Sequence, residues 1–295
     1  MKKYNISKEY GIFAKFTTPY NKVIFPLGNL FLSICPLLVK SDEYVKITKT
    51  KIGKNNLKLY IFKPIKTKTD KILLYIHGGA FTYKGFLSHY KLCKRFAKDA
   101  GLTVVYIDYR LAPKYKYPSA LNDCLYAYNW IIQNKDTLHV DKHKIIVAGD
   151  SAGGCLTAEL ALKTIENNLI KPYYLMLFYP LVNKKLNTNS MKEYTNTPMW
   201  NSKLTKKMWK YYLKDNNYTA PNESKDLDKM PPIYIETAEY DSLHDEDVLF
   251  AKKLKEQGVN VTLYETKNTM HGYDTKDCSI TEKVIQNRIK ILKKL

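Results

Sequence analysis

The feature that most constrains this chain is the run 144–154, which reads Lys-Ile-Ile-Val-Ala-Gly-Asp-Ser-Ala-Gly-Gly. Its first half, 144–148, is short, apolar and β-branched, which predicts a buried strand. Gly149-Asp150-Ser151-Ala152-Gly153 follows at once, and 155–164 are good helix formers with a mixed apolar face. A strand, a turn with glycine at both ends and then a helix is the context of a nucleophile elbow. In such a turn the central serine takes a strained backbone conformation, so that its hydroxyl stands clear of the sheet. A Cβ at either glycine would collide with the opposite arm. The helix start adds unpaired N–H groups and a positive dipole end near any negative charge forming at Ser151. G-x-S-x-G also occurs in turns that merely pack tightly, so the motif alone decides nothing.

The rest of the chain alternates strand and helix. Residues 45–50 and 57–62 flank Gly53-Lys54-Asn55-Asn56 and predict a hairpin. Further strands are predicted at 71–76, 103–109, 173–179, 233–237 and 261–264. Helices are predicted at 87–100, 118–135 (with Pro118 in the first turn), 243–257 and 281–295. This rhythm predicts one α/β unit, a mostly parallel twisted sheet flanked by helices. Two parts break it. Residues 1–40 and about 184–217 read as a helical cap, the second inserted into a catalytic domain spanning 41–295. Trp200, Met208, Trp209, Tyr211 and Tyr212 give that insertion a greasy inner surface. Trp209 or Tyr212 could line a pocket, or all five could simply pack the insertion onto the sheet.

A serine nucleophile needs a base, a group that orients the base, and donors for the oxyanion. In open α/β sheets these stand beyond the carboxyl ends of the strands. At the exit of 233–237 lies Asp241, with Glu239, Asp245 and Asp247 as competing carboxylates. Asp245 and Asp247 are expected on a solvated helix, and Asp241 could also serve as a helix N-cap. Beyond 261–264, His271 falls in a polar loop. His139 and His143 precede a strand, at the wrong edge. His244 faces a helix start, and His89 is expected at the surface. His77 opens His77-Gly78-Gly79-Ala80, a strand exit almost bare of side chains that can present successive backbone N–H groups, with that of Ala152 as partner. His77 itself is expected to brace that loop. The order Ser151, Asp241, His271 is the one an α/β-hydrolase uses.

With those residues in view, the stretch from about 73 to 273 resembles the hormone-sensitive-lipase-like esterases of the α/β-hydrolase superfamily. The resemblance rests on His77-Gly78-Gly79-Ala80-Phe81, on Tyr109-Arg110-Leu111-Ala112-Pro113 with Tyr117-Pro118-Ser119-Ala120, and on Gly149-Asp150-Ser151-Ala152-Gly153-Gly154. Asp241-Ser242-Leu243-His244-Asp245-Glu246 and His271-Gly272-Tyr273 complete it. It implies the α/β-hydrolase fold with a helical cap. It also implies a Ser151, Asp241, His271 triad, with Gly78, Gly79, Ala80 and Ala152 around the oxyanion. The implied activity is hydrolysis of short- to medium-chain carboxylic esters through an acyl-serine, with neither metal nor organic cofactor. Carbohydrate acetyl esters or amides are alternatives for the same triad. A catalytically silent ligand-binding protein is a further alternative, disfavoured by the presence of His271. Ser242 stands where the family usually has Pro, and His244 where it usually has Arg; neither change removes a catalytic atom.

Composition bears on partners. Lysine and arginine exceed the acids by 20, a balance that can signal nucleic acid. Here the lysines are scattered without a basic stripe, and no nucleic-acid partner is expected. Five widely spaced cysteines without a C-x-x-C suit neither a zinc site nor a disulfide framework, and point to a cytoplasmic protein with reduced thiols. Residues 23–39 are apolar but broken by Pro26, Gly28, Asn29 and Pro36, too short to span a bilayer, so no stable membrane insertion is expected. Residues 10–39 read as packing material or a mobile flap. Whether two chains pair as a homodimer is left open.

Overall fold

The structure, a computed structural model, describes residues 4–215 and 217–295. Residues 1–3 and Asn216, which fall in the two expected cap segments, lie outside the described residues. One eight-stranded sheet carries the fold. Its strands are β1 (Val45–Ile52), β2 (Leu57–Pro64), β3 (Ile72–Ile76), β4 (Thr103–Asp108), β5 (Ile145–Asp150), β6 (Tyr174–Phe178), β7 (Ile233–Tyr240) and β8 (Val261–Met270). They lie in the order β1-β2-β4-β3-β5-β6-β7-β8. β1 and β2 form the expected hairpin, β2 runs antiparallel to β4, and every other pairing is parallel. β3 and β5 are buried along their whole length. That is why they read as unbroken apolar runs rather than alternating ones. The register places Ile76 beside Gly149 and Asp150 beside Phe178, so the carboxyl ends of β3, β5 and β6 finish together.

The helices are α1 (Phe25–Leu32), α2 (Cys35–Leu38), α3 (Leu87–Arg95), α4 (Ser119–Gln133), α5 (Lys135–Leu138), α6 (Ala152–Glu166), α7 (Asn189–Glu193), α8 (Ser202–Tyr212), α9 (His244–Glu256) and α10 (Ser279–Lys294). Strand side chains alternate between two cores. Leu74 and Ile76 share one with Leu121 of α4, Leu156 of α6 and Phe250 of α9. Leu73 and Tyr75 share the other with Leu92 of α3 and Leu292 of α10. Each fully buried leucine contributes roughly 1.5–3 kcal/mol. Pro118 is the residue before α4 rather than part of its first turn. β7 and β8 run several residues past their expected ends. There the polar side chains of Glu239 and Thr266 are satisfied by the Asn268 N–H and by the Thr237 carbonyl, so polarity does not end the strand.

The two segments outside the strand–helix rhythm lie against each other. Thr17 pairs with Met199 in a parallel bridge. The Met199 N–H donates to the Phe16 carbonyl at 2.6 Å, and the Thr18 N–H donates to the Met199 carbonyl at 3.0 Å. Asn201 caps α8 by accepting from the Leu204 N–H, which begins the helix where the insertion turns back. Among the described residues no helix is long and apolar enough to cross a membrane, and the five cysteines are all free thiols.

Candidate active site

Ser151 sits at φ 52°, ψ −119°, a conformation non-glycine residues avoid. The flanking glycines make the turn possible. A Cβ on Gly149 would come within 2.4 Å of the Gly153 carbonyl oxygen, on the opposite arm, and one on Gly153 within 2.1 Å of the Ile76 carbonyl oxygen. The elbow is held by the Ser151 N–H donating to the Phe178 carbonyl at 2.8 Å. α6 begins at the very next residue, Ala152, three residues earlier than its composition suggests, and aims its N-terminus at the hydroxyl.

His271 follows β8 directly, because that strand continues through 265–270. Its Nε2 lies 2.8 Å from the Ser151 hydroxyl and its Nδ1 2.6 Å from Asp241 Oδ2. The carboxylate assigns the proton to Nδ1 and leaves Nε2 to accept from the hydroxyl. Asp241 follows β7 directly and is fully buried. Its other oxygen, Oδ1, accepts from the Leu243 N–H at 2.9 Å. The turn-capping and histidine-orienting uses of this aspartate therefore fall on different oxygens. At the two family departures, Ser242 is buried and the His244 ring bridges Asp245 at 3.0 Å and Glu265 at 2.5 Å. Burial alone would lower the His244 pKa, but Glu265 and Asp245 raise it. An imidazole paired with two carboxylates therefore stands at this helix start.

The loop after β3 folds over Ser151. His77 is fully buried, stacked on Tyr109 with ring centres 4.3 Å apart, and burial pushes its pKa down to about 3. It is a neutral brace, in keeping with its expected role. The Gly78 N–H donates to Asp150 Oδ1 at 3.0 Å, so it is already committed. Gly78 is required for closeness, because a Cβ there would overlap the Asp150 carboxylate at 2.2 Å. Gly79, Ala80 and Phe81 all have positive φ, at 113°, 55° and 59°. Among the described residues, the N–H groups of Gly79, Ala80 and Ala152 have no protein acceptor.

Sequence reasoning missed the group that ties this loop to the elbow. His89 is not at the surface. It is buried beneath the site, its Nε2 3.1 Å from Asp150 Oδ2, while the Tyr75 hydroxyl donates to Asp150 Oδ1 at 2.8 Å. Burial would raise the Asp150 pKa, but the His89 charge with the His89, Tyr75 and Gly78 hydrogen bonds holds it at about 2. Burial would likewise lower the His89 pKa, but Asp150 raises it above the ordinary value. The signal available was Asp150 itself, a charge in a strand otherwise wholly apolar. On the other flank, Arg288 of α10 is fully buried and pairs with Glu236 at 2.5 Å and Asp274 at 2.7 Å. The Tyr273 hydroxyl donates to Glu236 at 2.8 Å, and that of Tyr179 donates to Asp274. This cluster fixes the turn that carries His271. Asp247 is not solvated either: it and Glu246 are buried, and burial pushes both carboxyls well up. Asp245 stays partly exposed, where it accepts from the Ser190 N–H at 2.9 Å.

The cleft over Ser151 encloses about 70 Å³ and is walled by Thr18, Tyr83, Tyr179, Met199 and Trp200. Trp209 and Tyr212 are not in its wall. Tyr212 stacks on Phe81 at 3.6 Å and Trp209 packs on Tyr218, so both pack the insertion onto the sheet. Among the described residues no group of His, Cys, Asp or Glu side chains is arranged to hold a metal ion.

Residues 73–275 match the family described as alpha/beta hydrolase fold. The chain is 31% identical over 231 residues to an arylesterase of Saccharolobus solfataricus, covering 76% of this chain and 75% of that one. This chain belongs to the hormone-sensitive-lipase-like esterase family of the α/β hydrolases. It is also 30% identical over 208 residues to esterase LipI of Mycobacterium tuberculosis (strain ATCC 25618 / H37Rv), covering 68% of this chain but only 65% of that protein's length. Among solved structures of such esterases, one titled Bacterial Heroin Esterase superposes with a TM-score of 0.88 at 26% identity, covering 98% of each chain.

Proposed function

We propose that this protein hydrolyses carboxylic esters through an acyl-serine intermediate, with Ser151, His271 and Asp241 as catalytic triad. The observation that carries the reading is the unbroken hydrogen-bond chain from the Ser151 hydroxyl through His271 to Asp241, at 2.8 and 2.6 Å. Ser151 Oγ attacks the ester carbonyl carbon as its proton passes to His271 Nε2. Asp241 stabilises the imidazolium that forms. The carbonyl oxygen, now negative, accepts from the N–H groups of Gly79, Ala80 and Ala152. One such donor is worth about 10²–10³ in turnover. Collapse expels the alcohol oxygen, which takes the proton from His271. A water then gives a proton to His271 and attacks the acyl carbon; as the acyl–oxygen bond breaks, His271 passes that proton to Ser151 Oγ, releasing the acid and restoring Ser151 and neutral His271.

Residues 4–40 and 184–217 form the cap, with Asn216 outside the described residues. The cleft's volume of about 70 Å³ and its aromatic wall support short acyl groups. Relatives named arylesterase and ethyl acetate hydrolase point the same way. The free thiols support a reducing, cytoplasmic setting. A fluorophosphonate probe tests the reading, since it labels only an activated serine. Stoichiometric labelling that maps to Ser151 and disappears in Ser151→Ala is expected. No labelling, or labelling that survives that substitution, overturns the assignment.

A further inference from the structure

We propose that the N-terminal helices α1 and α2 form a docking surface for anionic lipid, seating the protein peripherally on a membrane face. In a packed domain apolar helix residues turn inward; here they turn out. Val23, Leu27, Leu30, Phe31, Leu37 and Leu38 keep 56–76% of their surface exposed. Large apolar side chains left exposed this densely along one short segment mark an interaction site. Only Phe25 and Cys35 of the two helices are buried.

The segment is nonetheless fixed to the body. Asn29 donates to the Thr82 carbonyl and accepts from the Lys84 N–H, both at 2.8 Å. The Lys84 ammonium donates to the Ser33 hydroxyl at 2.9 Å, and the Tyr20 hydroxyl to the Ala80 carbonyl. The apolar side chains are therefore held outward on a rigid support.

Charge selects the occupant. No Asp or Glu occurs from residue 10 to residue 41, whereas Lys15, Lys22 and Lys40 do. Beside α1 lies a groove of about 630 Å³, lined by Lys22, Lys51, Lys58, Lys84 and Lys114 with Asp108 as its only carboxylate. Pro26, on that groove's wall, and Leu30, in the apolar patch, are four residues apart and share a helix face. Apolar side chains flanked by lysines match an anionic bilayer, with acyl chains beneath and phosphate headgroups above. A second copy fits poorly, because a two-fold contact through this face would set lysine against lysine with Asp108 as the one groove carboxylate to offset them. The insertion is shallow and reversible, since neither helix is long enough to span. The same segment supplies Thr18 to the wall over Ser151, so a docked molecule holds its cleft close to the lipid surface.

The test uses the full chain and vesicle sedimentation, a readout independent of any activity. One vesicle population is phosphatidylcholine, and the other contains phosphatidylglycerol at roughly one lipid in three. Binding to the mixed vesicles is expected to be at least about tenfold tighter than to phosphatidylcholine alone, and to weaken as salt is added. The double substitution Leu30→Glu with Leu37→Glu is expected to lower it by about tenfold or more. Both positions are exposed, so thermal unfolding and hydrolysis of soluble p-nitrophenyl acetate should match the unsubstituted protein. Absent or lipid-independent binding by the unsubstituted protein overturns the proposal, as does a double variant that binds undiminished. A stable dimer that the double variant converts to monomer, without vesicle binding by either, assigns the face to a second copy and overturns it as well.

Discussion

Two buried charge clusters flank the Ser151–His271 contact, and they are built differently. On the serine side, Asp150 gathers His89, the Tyr75 hydroxyl and the Gly78 N–H. On the histidine side, Glu236 and Asp274 share Arg288, with the Tyr273 and Tyr179 hydroxyls donating to them. Each removes charge from water, and each is tolerable only because hydrogen bonds fill the remaining lone pairs. The difference lies in the cation. A guanidinium stays charged at any pH the protein meets, while an imidazole does not. The turn carrying His271 thus rests on a support whose cation keeps its charge, and the loop over Ser151 on one whose cation titrates.

Four measurements test that contrast. The largest effect is expected where neither support is touched. Ser151→Ala should lower kcat/KM on p-nitrophenyl acetate by about 10⁵–10⁶-fold while leaving the urea midpoint unchanged. Asp241→Asn should follow with a loss of about 10⁴-fold, again mostly in kcat, because the imidazole would lose its assigned tautomer. Arg288→Met breaks the histidine-side support and strands two buried carboxylates. It should cost about 3–5 kcal/mol in urea unfolding. Asp150→Asn, on the serine side, should cost less, about 1–3 kcal/mol. It should also lower kcat by roughly ten- to a hundredfold as the loop over Ser151 shifts.

The Asp150→Asn cost should depend on pH in a definite sense. Asp150 is depressed from 3.8 to about 2, so its stabilisation is complete above 3.8 and is lost as pH falls toward 2. The His89 pKa is raised above 6.5, so its share is complete below 6.5 and is lost as pH climbs through the raised value. Urea unfolding of both proteins should therefore differ most between pH 3.8 and 6.5, and less, though still measurably, at an alkaline pH beyond the raised His89 value, where the Tyr75 and Gly78 hydrogen bonds to Asp150 remain. An equal difference at both pH values would show that the imidazole charge contributes nothing.

These supports also mark where reading the sequence stopped. Ser151, Asp241 and His271 are recognisable because each sits at a strand exit, and strand exits follow from local periodicity. The parallel sheet was legible for the same reason. Asp150 paired with His89, and Glu236 with Arg288, join residues 61 and 52 positions apart, and no local window holds both partners. Asp247 looked solvated because α9 begins with three acids, Asp245, Glu246 and Asp247. Yet Asp247 turns inward toward Thr237 of β7, while α7 covers the start of that turn, its Ser190 hydroxyl donating to the Ser242 carbonyl at 3.0 Å. Trp209 and Tyr212 looked like pocket residues by type alone, and stacking on Phe81 and Tyr218 claimed them. The 78–80 loop shows the same limit from the other side. Its glycines announce exposed N–H groups, but only the position of Asp150 reveals that the first is already taken.

The bridge between Thr17 and Met199 has a mechanical outcome. Two short amide contacts sew the beginning of the chain to a segment some 180 positions later, directly above the reactive hydroxyl. Neither segment can swing aside independently without tearing that seam. Ester entry must therefore either lift both as a single hatch or pass into the cleft while the seam stays closed over it.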